Sequence, residues 1–117
     1  MRNTFILFLI FAATGCYYDV EETLYGSGCP DSELTYDASI KSLMTNNCTG
    51  CHSGANPSGG KDFTTYASVR QATEEGSLID VLLLPSGNSR SMPPNGALDS
   101  CSINLIQNWA AAGAPEF

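Results

Sequence analysis

Histidine is almost absent: the chain has one, His52, among 117 residues. A site built from two or more imidazoles of a single copy is therefore excluded. Basic residues are nearly as scarce, with five Lys and Arg against twelve Asp and Glu and a formal charge of −7. Nucleic-acid phosphate is held by clustered cations, and none cluster here, which argues against a nucleic-acid partner. The acidity otherwise implies solubility and steering toward a basic partner surface. Long hydrophobic runs are missing too. The apolar stretch at residues 5–13 falls well short of the ~20 residues a spanning helix needs. No alternating pattern marks a strand, and no internal repeat is visible. At this length the chain is one domain, small enough that a core of side chains alone is marginal.

At the N-terminus, Arg2, the apolar run and the small residues before Cys16 read as an export segment over residues 1–15. Ala13-Thr14-Gly15-Cys16 is similar to the lipobox of bacterial lipoproteins, which implies a lipid on the Cys16 thiol after cleavage. An ordinary cleaved signal with an incidental Cys16 is the alternative. Tyr17, not an aspartate, follows Cys16, which by the sorting rule of enteric bacteria permits passage to the outer membrane. Either route places the mature chain outside the cytoplasm, where disulfides persist. Residues 16–33 are acidic and broken by Gly26, Gly28 and Pro30, and read as a tether. The domain proper occupies residues 34–117.

Within it the spacing predicts three helical segments and a short fourth. The first starts at Thr35 or Asp37 as N-cap and places Ile40, Leu43 and Met44 on one face. The second follows Thr64 or Thr65, turns Tyr66, Val69 and Ala72 inward, and stops near Gly76. A short helix is expected in the apolar run at residues 78–83. The last has Asp99 or Ser100 as N-cap, carries Ile103, Ile106 and Ala110 at helical spacing beside Leu105 and Trp109, and is closed by Gly113. Polar loops fill residues 53–61 and 85–96. The expected class is all-α, with three to five short helices and long loops.

The most informative stretch is Cys48-Thr49-Gly50-Cys51-His52, a C-x-x-C-H attachment signature for c-type haem. Two thiols three residues apart on one helical turn can add to the two vinyl groups of a single porphyrin, and the next residue offers an imidazole to the iron. A disulfide redox pair is one competing reading, but it normally accompanies a βαβ pattern that is not visible here. A zinc site of four thiolates, from Cys29, Cys48, Cys51 and Cys101, is another. It leaves His52 without a role.

With this motif after the first helix, Arg90-Ser91-Met92-Pro93-Pro94 and a closing Ile-x-x-Ile-x-x-Trp helix, the chain resembles the class I (monohaem) cytochromes c, in particular small bacterial lipoprotein-type domains. The resemblance covers most of residues 34–114. It implies an all-α cytochrome c-like fold wrapped around one covalent haem c. It also implies an electron carrier that is not itself an enzyme, exchanging electrons with redox partner proteins.

On that resemblance Cys48 and Cys51 are the thioether positions, and His52 is the proximal iron ligand. Such a ligand donates its second ring nitrogen to a backbone carbonyl, here expected in residues 56–60. Met92 is the sixth-ligand candidate. It lies in a polar loop where no periodicity explains it as core, and two prolines stiffen the backbone after it, whereas Met44 reads as packing. Arg90 is a candidate contact for a haem propionate. Tyr66 and Trp109 are expected as core aromatics near the porphyrin. Cys29 and Cys101 remain once lipid and haem are allotted, and an isolated pair in an oxidising compartment usually bridges. The bridge would close about seventy residues and stabilise by roughly 4 kcal/mol; an intermolecular bridge through Cys29 is the alternative. The rival functions are a haem sensor or peroxidase-like protein with an open sixth site, and a zinc-stabilised surface interaction module.

Overall fold

A computed structural model describes Cys29 and residues 32–117. The export segment, Cys16 and most of the tether lie outside the described residues. Within them the chain is helical, and no strand is present.

A wide turn of π-helix, Tyr36–Ile40, runs without a break into α1, Lys41–Asn47. A short 3-10 turn, Ser58–Gly60, follows in the first polar loop. Then come α2, Tyr66–Glu74, α3, Ser77–Leu82, and α4, Ser100–Ala111. The side-chain caps sit where Thr and Asp precede apolar periodicity. Thr35 Oγ1 accepts from the Ala38 N–H, Thr65 Oγ1 from Ser68, and Asp99 Oδ1 from Ser102, so each start has one orphan amide satisfied.

The helix ends are equally local. Gly76, at φ 77°, takes the left-handed conformation that lets α3 begin directly after α2. Gly113, at φ 87°, does the same at the end of α4. There the Ala114 N–H donates to the Trp109 carbonyl and the Gly113 N–H to that of Ala110, the paired bonds of a Schellman motif. Ala114 is buried beneath it.

The core gathers one apolar face from each element. Ile40, Val69, Ile106 and Trp109 are fully enclosed, and Met44 nearly so, which confirms Met44 as packing. α2 lies against α3, α3 touches α4, and α4 returns to the wide first turn. The C-terminal residues close this arrangement. The Tyr36 and Asp37 N–H groups donate to the Pro115 and Glu116 carbonyls at 2.9 and 3.1 Å. Trp109 Nε1 donates to Pro115 O, and the Tyr66 hydroxyl to Ala114 O. The Tyr36 ring bridges the other two aromatics, 5.3 Å from Tyr66 and 6.3 Å from Trp109 between centroids.

Cys29 and Cys101 are joined by an intramolecular disulfide across a sequence separation of 72. It pins Cys29 to the first turn of α4.

Candidate functional site

The C-x-x-C-H segment leaves α1 as one further turn. The Cys48 N–H donates to Met44 O at 2.8 Å, continuing the helix. The Cys48 carbonyl then accepts from both Cys51 and His52, at 3.2 and 2.9 Å. A single carbonyl therefore gathers the second thiol-bearing residue and the imidazole onto one turn. Cys48 is half-buried and Cys51 exposed. Burial pushes the Cys48 thiol above its ordinary range, because a thiolate loses hydration there.

The polar loop after the motif folds back as a clamp. Ser58 N–H donates to Cys51 O, and Phe63 N–H to His52 O, at 3.0 and 2.9 Å. The Phe63 ring packs on the imidazole with centroids 5.0 Å apart. His52 Nδ1 lies 3.1 Å from the Lys61 carbonyl oxygen. A carbonyl can only accept, so Nδ1 is the donor in this contact, and Nε2 is the ring nitrogen that it leaves unengaged. The orienting carbonyl thus belongs to Lys61, just beyond residues 56–60: the loop closes at Phe63, and Lys61 is the residue that comes level with the ring.

The motif and clamp border a partly open cavity of about 360 Å³. Cys48, Cys51, His52 and Met92 all line it. Leu78, Val81 and Leu82 form an apolar wall from α3, Phe63 adds another, and Pro93 and Pro94 extend the side that carries Met92. Polar groups at the lining are few. Asn47 Nδ2 and Ser77 Oγ are spent on the carbonyls of Leu43 and Ala72. Since a water occupies about 30 Å³, the space suits an organic group and far exceeds a bare ion. Among the described residues no three His, Cys, Asp or Glu side chains stand together as a metal-ligand set.

Not every residue expected at the site is there. Arg90 is exposed and does not line the cavity; its backbone N–H is turned to Asn88 Oδ1. Tyr66 and Trp109 are core aromatics, but neither reaches the cavity wall. Phe63 takes that place. The sequence held a weak signal for it, an isolated Phe next to a polar loop. The signal for α3 was stronger, since Leu78, Val81 and Leu82 fall at the spacing of one helix face.

No family model matches this chain, and no curated protein or solved structure matches it either.

Proposed function

We propose that the protein is a c-type haem protein. More particularly, it is a monohaem single-electron carrier with a cytochrome c-like fold, exported and lipid-anchored through Cys16 to the periplasmic or outer-membrane side of a bacterial envelope, and serving redox partner proteins.

One observation carries this reading: a single apolar cavity gathers both motif thiols, the imidazole and Met92. Cys48 and Cys51 would hold the group covalently. Each thiol adds across a vinyl double bond, its sulfur to one carbon and its proton to the other, so nothing departs. His52 would bind iron through Nε2, its orientation already set by the Lys61 carbonyl. Met92 would offer its thioether as the second axial ligand. When bound, haem supplies an iron that cycles between ferrous and ferric states, with methionine ligation raising its reduction potential. The apolar residues of α3 and Phe63 exclude water from the centre.

The competing readings fare worse on the same geometry. The Cys29–Cys101 bridge takes two of the four thiols that a tetrathiolate zinc site needs. A thiol–disulfide catalyst normally accompanies a βαβ pattern, and the described residues contain no strand.

The deciding experiment is expression of the full chain in a bacterium able to mature c-type cytochromes. A pyridine haemochrome spectrum and an intact mass are then recorded on the purified protein. The expected mass exceeds polypeptide plus acyl groups by one haem. Purified protein with no Soret band and no added mass defeats the proposal.

A further inference from the structure

Lys61 is the one Lys, Arg, Asp or Glu residue among those that line the cavity. Its Nζ stands 3.5 Å from Glu75 Oε2, and both side chains are about half exposed. An ammonium has three N–H donors and no acceptor, so this single long contact leaves two donors for another anion. Glu75 does not depend on the lysine, because its Oε1 accepts from Gln71 Nε2 at 2.8 Å. A cavity with apolar walls and one cation at its lining suits a ligand with an apolar body and a carboxylate. Resting on the function proposed above, we infer that Lys61 receives a propionate carboxylate of the haem, the role the sequence suggested for Arg90. One residue then positions the group twice: its carbonyl orients the axial imidazole, and its ammonium holds the porphyrin's acidic edge. Replacing the side chain leaves the carbonyl in place, so the two roles separate experimentally.

The test uses the full, haem-bearing protein and the propionate bending band of its resonance Raman spectrum, which falls in frequency when a propionate loses a hydrogen-bond donor. Lys61→Gln is expected to shift that band down, with covalent haem content unchanged. Arg90→Gln is expected to leave it in place. Glu75→Gln frees the lysine and is expected to shift the band up. A band unmoved by Lys61→Gln, or one that moves with Arg90→Gln, overturns the inference. Should Lys61→Gln fail to accumulate, an unmoved band in Glu75→Gln overturns it equally. Wild-type protein without covalent haem defeats the underlying function instead, so the two failures are told apart.

Discussion

The backbone N–H of Met92 donates to the carbonyl oxygen of Val81 across 3.1 Å. Val81 lies in the last turn of α3, and the residue four positions on is Pro85, which has no N–H to offer. The orphan carbonyl is satisfied by Met92 instead. The methionine loop therefore hangs from the helix that supplies the apolar wall, and Met92 lines the same cavity as His52. This bond uses only backbone atoms, so the side chain can be changed without releasing the loop.

On the proposed haem function, Met92→Ala should accordingly keep covalent haem and the fold. It should lose the weak charge-transfer band of methionine-bound ferric haem and bind cyanide within mixing time. Optical spectra of the ferric protein report both. A wild type that is already high-spin and binds cyanide at once would instead favour a sensor or peroxidase-like protein.

Phe63 is 7% exposed and packs on the imidazole. Phe63→Ala should cost about 3–5 kcal/mol, the usual range for emptying a buried phenylalanine site. Urea denaturation of the two proteins measures it. A loss under about 1 kcal/mol would mean the ring does not pack as described.

Cys29 and Cys101 close a long loop. Replacing both by serine should lower stability by about 4 kcal/mol through the enlarged entropy of the unfolded chain. Denaturant midpoints with and without the bridge test this. On the proposed function covalent haem should be retained, since Cys48 and Cys51 take no part in the bridge.

The Asp99 carboxylate accepts from both the hydroxyl and the N–H of Ser102, and these bonds hold its carboxyl below the usual range. The charged form is thus favoured in the folded state. Its contribution is present above the ordinary Asp value of about 3.9 and is lost as pH falls through the lower folded value. Melting temperature followed from pH 6 downward should therefore fall less steeply in Asp99→Asn, whose side-chain oxygen still caps α4. Parallel acid limbs would contradict this.

Much of the architecture is legible without coordinates because it is decided over a few residues. Thr35, Thr65 and Asp99 cap helices through their own neighbouring amides, and Gly76 and Gly113 end them because only glycine enters the left-handed region without strain. The inward faces of α1 to α4 follow from a 3.6-residue period. The C-x-x-C-H turn is local in the same sense, since one Cys48 carbonyl organises it.

What was not legible depends on which distant segments meet. Whether Met92 approaches His52 is decided by the bond from its loop to Val81 and by the packing of α3. Which carbonyl orients the imidazole is decided by how tightly residues 53–63 fold back. Period and composition place Trp109 in the core but cannot say that Phe63, and not Trp109, faces the cavity. Allotting the other three cysteines already leaves Cys29 and Cys101 as the expected pair, but only the fold shows that the bridge closes within one chain. A local hydrogen bond is written in two or three adjacent residues, whereas a cavity exists only after helices far apart in the chain have buried their apolar faces together.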